Sequence, residues 1–491
     1  MEQLDKYWAQ QAAEVEAELL TRVGESKVRP RLEPTRLAVE LLGDPQKSYR
    51  VIHVTGTNGK TSTTRFIERI LREFGIRTGR FTSPHLVNFN ERISIDGEPV
   101  SNEVLVETYR EIKPIIEIVD DRLKAQDEGA LTFFEILAVL AFAIFNTEAI
   151  EVLVLEVGMG GEWDSTNVAD GDVAVFTPIG LDHVARLGDT IAEIAATKSG
   201  IIKPGAMVVS AKQPSEAREV LLAKTKLTAE KWIEQGEAFE IQNLRQDGFG
   251  QRFTLKTSAA TYSDLYIPLL GTHQAENSAV AIAAVEAFMG YGEKAIPEDV
   301  LRSAMADVSS PGRLQIIDRE PLVILDAAHN PHGAKSLANA LVDSFSAPYT
   351  IAVLAVLNDK DAEGILRELD EVVSGVIITQ SSSERCIPAA ELGSIAEQVL
   401  GTGRVTVVEN PAKALEQAKA DLPKNMNSAV VVSGSISLIG DILAEAQYSA
   451  NIDLSDEEFD EVSGEYEVQD IYEEVEITAE EDLEDLEEDE Y

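Results

Sequence analysis

The stretch Val51-Ile52-His53-Val54-Thr55-Gly56-Thr57-Asn58-Gly59-Lys60-Thr61-Ser62 sets the reading of the fold. Val51 to Val54 reads as a short buried strand, and Thr55 to Gly59 as a tight polar loop. Thr61 to Phe74 reads as a helix that Gly75 ends, a residue suited to the position just past a helix. A loop of small residues between a strand and a helix can aim backbone N–H groups at phosphate oxygens, and the helix N-terminus adds its positive dipole end. Thr57, Asn58, Gly59 and Ser62 would form the cradle. Lys60 would neutralise β/γ-phosphate charge, and the Thr61 hydroxyl would complete a Mg2+ shell. The general Gly-x-x-x-x-Gly-Lys-Ser/Thr pattern wants glycine where this chain has Val54, so the loop is a variant. The alternative is a Gly-rich turn that caps an ordinary helix.

Outward from that loop the same rhythm repeats. Residues up to about Arg36 read as helix, with apolar residues at helical spacing among Glu and Ala. Val152–Val157, Val173–Phe176 and Met207–Ser210 read as buried strands separated by helices, which predicts a mostly parallel sheet covered on both faces. Ser309-Ser310-Pro311-Gly312 is a turn-rich break, after which the pattern restarts. Leu322–Leu325, Thr350–Val356, Gly375–Thr379, Val405–Val408 and Ala429–Val432 read as strands, and Ala334–Leu341 as the start of a helix. The expected organisation is a helical segment at 1–35, a phosphate-loop domain at 36–312, a Rossmann-like α/β domain at 313–448, and an acidic, disordered tail at 449–491.

The 491 residues carry 42 Lys and Arg against 86 Asp and Glu, a net charge of −44. Residues 451–491 contribute 21 acids and no Lys or Arg, which leaves −23 on the rest. Such a chain repels a nucleic-acid backbone and an anionic membrane surface. Small anionic substrates then require a locally basic pocket. One cysteine, Cys386, excludes an internal disulfide and a Cys-based zinc cluster. The apolar run Ile136 to Phe145 is too short to span a bilayer. The chain reads as a soluble cytoplasmic protein.

The variant loop resembles that of the Mur ligase superfamily, ATP-dependent enzymes that join a carboxylate to an amine through an acyl phosphate. Further motifs resemble one branch, the folylpolyglutamate synthase/dihydrofolate synthase family. They are Ser83-Pro84-His85-Leu86 with Glu91-Arg92-Ile93, Leu131-Thr132-Phe133-Phe134-Glu135, and Leu155-Glu156-Val157-Gly158 with Gly160-Gly161 and Asp164-Ser165-Thr166-Asn167. In order after them come Asp182-His183, Lys198-Ser199-Gly200-Ile201, His273-Gln274-x-x-Asn277, Pro311-Gly312-Arg313 and Asp326-Ala327-Ala328-His329-Asn330-Pro331. The resemblance covers about residues 30–445. The phosphate loop begins at residue 55, which leaves no room before it for the nucleotide-sugar domain of the cell-wall Mur ligases.

Joining a carboxylate to ATP brings two anions together, so Mg2+ and fixed cations must offset the repulsion. Thr61 and Glu156 suit the ATP-bound Mg2+. Glu156 ends an apolar strand, where an open α/β sheet places its ligands. By resemblance Ser83 is a further metal ligand, and His183 holds a second Mg2+. Lys198 is an active-site lysine that becomes a carbamate, and Asn277 contacts the nucleotide from the start of the helix Ser278–Phe288. Arg313, in the linker, could reach ATP phosphates. Asp326, at the end of the second domain's first strand, would contact the ribose or phosphates. His329 would hold the nucleotide or the amino acid. Gly434-Ser435 fits either amino-acid carboxylate binding or an ordinary turn. Phe133 and Phe134 read as core, although one could stack on a pterin.

Two departures stand out. Glu162-Trp163 replaces the family's Arg-containing loop, and Ser381 to Cys386 matches only loosely the loop in which Arg385 would bind glutamate. The resemblance implies that Lys60, His183 and Lys198 are catalytic. ATP, L-glutamate and dihydropteroate or a reduced folate are the small-molecule substrates of a monomer without nucleic-acid or membrane partners. Other readings are a different Mur-like amino-acid ligase, a phosphate-loop NTPase switch, and a catalytically dead binding protein.

Overall fold

Short runs of apolar residues make the strands whose ends carry the candidate site. A computed structural model of the protein describes residues 2–456 apart from Ser26, Val28 and Ser346. The first eight strands are β1 (Arg50–Thr55), β2 (Thr78–Phe81), β3 (Ile93–Ile95), β4 (Glu98–Pro99), β5 (Val152–Glu156), β6 (Val173–Phe176), β7 (Met207–Ser210) and β8 (Lys231–Glu234). They form one sheet in the order β4-β3-β2-β5-β1-β6-β7-β8. It is parallel from β2 to β8, and β3 and β4 add an antiparallel edge. Val54 of β1 stands opposite Glu156 of β5, and Thr55 opposite Phe176 of β6. The three strands therefore end level, and the loops after them emerge together at the carboxyl edge, where α/β sheets bind ligands.

Alternating side chains of β1 feed two cores. Ile52 and Val54 are buried with Phe66, Ile67 and Ile70 of the helix Lys60–Glu73 and with the Ala-rich helix Thr272–Gly290. Val51 faces the other way, with Leu153, Leu155 and the helix Phe133–Thr147. Each fully buried large side chain contributes about 1.5–3 kcal/mol, so both faces hold the carboxyl-edge loops on a stiff base.

Three antiparallel strands follow, β9 (Phe239–Asp247), β10 (Gly250–Thr257) and β11 (Thr261–Ile267), in a sheet of their own. The sequence reading did not foresee them. The remaining strands are β12 (Gln315–Arg319), β13 (Leu322–Leu325), β14 (Tyr349–Leu354), β15 (Gly375–Ile378), β16 (Val405–Val407) and β17 (Ser428–Ser433). Their order is β12-β13-β17-β14-β15-β16, parallel except for β12.

Several expectations are corrected. The opening segment is two helices, Glu2–Leu20 and Glu33–Leu41, and the second crosses the boundary drawn at 36. Gly24 and Pro30 fall in the non-helical stretch between them, as their backbone preferences require. Asn277 lies inside its helix, which begins at Thr272. The antiparallel β12 precedes β13, so Asp326 follows the second strand of its sheet. The last helix runs from Ile436 to Asp456, so 449–456, expected to be disordered, are helical. The rest of the tail lies outside the described residues. No helix among the described residues is long and apolar enough to cross a membrane.

Candidate active site

The loop after β1 is built by two glycines with no room for a side chain. A Cβ at Gly56 would stand 1.9 Å from Thr177 Oγ1, and one at Gly59, where φ is +86°, 2.4 Å from Asn277 Oδ1. Asn277 therefore packs directly on the loop. Thr57 Oγ1 donates to the carbonyl of Gly180 at 3.0 Å, and Ser62 Oγ lies 2.9 Å from Ser310 Oγ. Lys60 Nζ donates to the carbonyls of Gly56 and Thr57, both at 3.3 Å. Its ammonium is thus held over the loop that would receive phosphates. Burial pushes its pKa down, and Glu156 and Asp182 oppose that shift.

Lys198 Nζ donates to the same Gly56 carbonyl at 2.7 Å. Burial, with Lys60 close by, brings Lys198 down to about 7, so near neutrality a large share of its amine carries a free lone pair. Across β1, Glu156 is buried. One carboxylate oxygen accepts from Thr61 Oγ1 at 3.0 Å, and the other has no hydrogen-bond partner. Burial pushes this carboxyl up to about 7, against the pull of Lys60. The Ser83 backbone touches the same carboxylate. An open buried oxygen, a threonine hydroxyl and a serine fit a small hard cation that takes its other oxygens from water and phosphate. Among the described residues no group of three or more His, Cys, Asp or Glu is set to hold a metal without such help.

Opposite this wall, the two halves of the chain meet through polar side chains. Asn58 and Asn330 exchange amide hydrogen bonds of 3.2 and 3.1 Å, and Asn58 Nδ2 lies 2.7 Å from His332 Nδ1. Asn330 also donates to Asp182 Oδ2 at 3.0 Å. Lys360 donates to Asp182 Oδ1 at 2.8 Å, and its Nζ lies 3.4 Å from His183 Nε2. Burial acts to raise Asp182, but Lys360 and the neighbouring histidines hold it well below the usual carboxylate range. Burial lowers His183 and His329 to about 4 each, so both rings are neutral near pH 7. His329 Nδ1 is 2.8 Å from the Ala327 carbonyl. As a donor there it leaves Nε2 with a lone pair.

Residues 54–285 match the Mur ligase middle domain, and residues 312–436 match the Mur ligase glutamate ligase domain. A dihydrofolate synthase/folylpolyglutamate synthase of Mycobacterium tuberculosis is 41% identical over 82% of this chain and 85% of its own length. The chain belongs to this branch of the Mur ligases. The Bacillus subtilis enzyme with the same two names is 34% identical over 84% of this chain and 94% of its own. A structure of Mycobacterium tuberculosis folylpolyglutamate synthase complexed with ADP superposes with a TM-score of 0.84 at 39% identity, covering 90% of this chain and 99% of that one.

In this ligase Thr57, Asn58, Gly59, Lys60, Thr61, Ser62, Ser83, Glu156, His183, Asn277, Arg313, Asp326 and His329 all line one cavity of about 560 Å³. Lys198 is outside that lining and shares the Gly56 carbonyl with Lys60, which is part of it. The Asp326 carboxylate accepts from the backbone N–H groups of Leu314 and Ala328, at 2.9 and 3.0 Å, so part of its capacity serves the linker. Two further cavities adjoin. One, of about 180 Å³, includes Phe134, Trp163, Lys27, Arg29, Arg186 and Arg385 in its wall. The other, of about 420 Å³, includes His85, Asp359, Lys360, Arg385, Ser435 and Asp441.

Phe133 is core and Phe134 faces the smaller cavity. At the unusual pair, Trp163 joins that cavity and Glu162 is exposed. Arg385 lines both adjoining cavities and is held by Asp359 at 3.3 Å. Sequence reasoning missed Lys360 and His332, and gave no role to Asn330, which it met only as part of a motif. Lys360 lies in the loop that follows β14 at the carboxyl edge of its sheet, the position that pointed to Glu156, so the same rule could have found it.

Proposed function

We propose that the chain is an ATP-dependent ligase that forms an amide between the carboxylate of dihydropteroate or a reduced folate and the α-amine of L-glutamate. The observation that carries this reading is that Pro84 and His183 line all three cavities. A ligase must bring three substrates to one point, whereas an NTPase switch needs one pocket. The large cavity, with the phosphate loop, takes ATP. The cavity with Phe134 and Trp163 offers aromatic faces for a pterin. The cavity with Lys360, Arg385 and Ser435 offers cations and hydroxyls for the carboxylates of glutamate.

A carboxylate oxygen attacks the γ-phosphorus, the bond to the β-phosphate oxygen breaks, and ADP leaves. The glutamate amine, having lost its ammonium proton, then attacks the acyl carbon. The C–O bond to phosphate breaks and inorganic phosphate is released. Lys60 and Arg313 hold phosphate oxygens, and the neutral His329 can accept a proton at Nε2. The Asn58–Asn330 and Asp182–Lys360 contacts hold halves 36–312 and 313–448 together, which keeps water from the acyl phosphate. Mg2+ at Thr61, Ser83 and Glu156 would supply charge neutralisation between the two anions. At His183 the residues do not fit a second Mg2+ as they stand, because Lys360 occupies that side of the ring. Lys198 supports the carbamate reading: its uncharged Nζ can add to CO2 and lose a proton, leaving an oxygen anion beside Lys60. Each of the three cavities draws its whole wall from this chain, in keeping with a monomer, and the use of ATP supports a cytoplasmic setting.

The test is ADP release with L-glutamate plus dihydropteroate, and separately plus tetrahydrofolate. Release that needs glutamate and one of these acids is expected. Release indifferent to both would overturn the ligase reading in favour of a switch.

A further inference from the structure

Glu286 is 2% exposed, and its two oxygens are treated differently. Oε1 accepts from the Tyr262 hydroxyl at 2.6 Å and from the Thr257 hydroxyl at 3.0 Å. Oε2 has no hydrogen-bond partner among the described residues, yet it is not sealed from a molecule the size of water. The little surface that the residue keeps lies on a cavity of about 290 Å³, whose wall it joins. That cavity is bounded by β8, the corner after it, the end of β10 and the last turns of the helix Thr272–Gly290. It shares no residue with the walls of the three cavities above.

The other charges of this wall are already paired. Glu234 and Glu237 each meet Arg218 at 2.8 Å. Lys231, the one cation among the described wall residues, donates to the Tyr291 carbonyl at 2.9 Å and to Glu293 at 3.2 Å. Burial raises the Glu286 carboxyl to about 6, opposed by its two hydroxyl partners and by no Lys, Arg or His. Near neutral pH most copies therefore carry a charge without a counter-charge. A buried carboxylate in that state is costly, and a ligand that brings the positive charge offsets the cost. The C-terminal end of the helix favours a cation as well.

The surroundings say what kind of cation fits. A divalent metal needs several oxygen ligands, and among the described residues no group of three or more His, Cys, Asp or Glu is set to hold one. A guanidinium pairs best with both oxygens of a carboxylate, and here Oε1 is spent. An ammonium needs one acceptor and a place for its stem. Ile233, Phe239 and Ala283 of the same wall belong to the apolar core and supply that place. We propose that this cavity is a binding site for a small primary ammonium compound with a short alkyl stem, whose N–H donates to Glu286 Oε2. The site is separate from the ligase chemistry and does not depend on it.

The probe is n-butylammonium chloride, titrated calorimetrically into the full chain in sodium buffer at about pH 8, above the Glu286 pKa. Binding with Kd on the order of 1 mM is expected for so small a ligand. Glu286→Gln keeps the length and removes the charge, so Kd should rise about tenfold or more. Unchanged turnover in the ADP-release assay would show that this variant is folded. If it does not fold, Ala283→Leu, which fills the cavity from the same helix face with the carboxylate in place, should show the same loss of binding. Butan-1-ol has the stem without the charge, and K+ has the charge without the stem, so neither should displace the amine. No binding in wild type, equal affinity in wild type and the folded variant, or displacement by K+ or butan-1-ol would each overturn the inference.

Discussion

Glu156 at the end of β5 and Asp164 in the loop after it are both buried carboxylates, and burial pushes both of them up. They differ in what their oxygens touch. Asp164 accepts from the backbone N–H groups of Met159 and Thr166, at 2.8 and 3.0 Å, and from the Thr166 hydroxyl at 2.5 Å. It closes its own loop. Glu156 leaves one oxygen bare. Stability alone gives no reason to keep a bare buried acceptor, since it costs about 1–3 kcal/mol. Burial therefore does not mark a functional acid here. An unpartnered oxygen on the wall of the nucleotide cavity sets Glu156 apart.

The comparison breaks most sharply at Glu156. Glu156→Gln keeps the volume and removes the charge, so turnover should fall by about a hundredfold to a thousandfold in the ADP-release assay. Thermal unfolding should stay near that of wild type. Turnover within about tenfold of wild type would make the open oxygen incidental. Lys60→Ala, which removes the ammonium over the same loop, should cost as much with the fold intact.

Asp164→Asn should behave in the opposite way. It turns an amide nitrogen toward groups that already donate, so the expected loss is stability, about 1–3 kcal/mol, read as a lower Tm. Full stability combined with lost turnover would move Asp164 from the loop's structure into its chemistry and erase the contrast.

Much of this arrangement was legible where the chemistry is local. The apolar runs at β6, β7 and β13 have the predicted bounds, because strands buried on both faces need no partner to be recognised. The phosphate loop, Glu156 and Arg313 could be read from residue type and position. The three antiparallel strands were passed over because β9 carries Asn243, Arg245, Gln246 and Asp247 and is largely exposed. A search for continuous apolar runs skips such a strand. The break at 21–32 was lost among helix-forming neighbours, although Gly24 and Pro30 signal it. Lys360 and Asn330 act by contacts across the cleft, with Asp182 and Asn58, and no local pattern contains that pairing. The unpartnered oxygen of Glu156 is likewise invisible until every neighbour is placed.

Lys198 extends the contrast to a cation and gives it a pH dependence. Its pKa in the folded chain is about 7, below the ordinary 10.5. Between these values the unfolded chain binds a proton that the native chain does not, so stability rises as pH rises from about 7 to 10.5. Below about 7 both states are protonated and the native state bears the full cost of a buried ammonium. In CO2-free buffer, Tm should climb over this window in wild type and climb less in Lys198→Met. Equal slopes would mean that Lys198 is not held as a buried free amine.

The smallest effect should come from the most charged part of the chain. Residues 451–491 hold 21 acids without a Lys or Arg, about half of the net charge. The C-terminal-most residue in the walls of the three cavities is Ala444. Between solvated charges, screening is largely complete beyond a Debye length, about 8 Å at physiological ionic strength. One carboxylate at Glu156 should therefore outweigh all 21. Removal of residues 457–491, which keeps the helix to Asp456, should change kcat and the three KM values by less than about twofold at that ionic strength, by the weakness of screened charges. A larger change that persists in high salt would show that the tail acts on the site by contact rather than by charge.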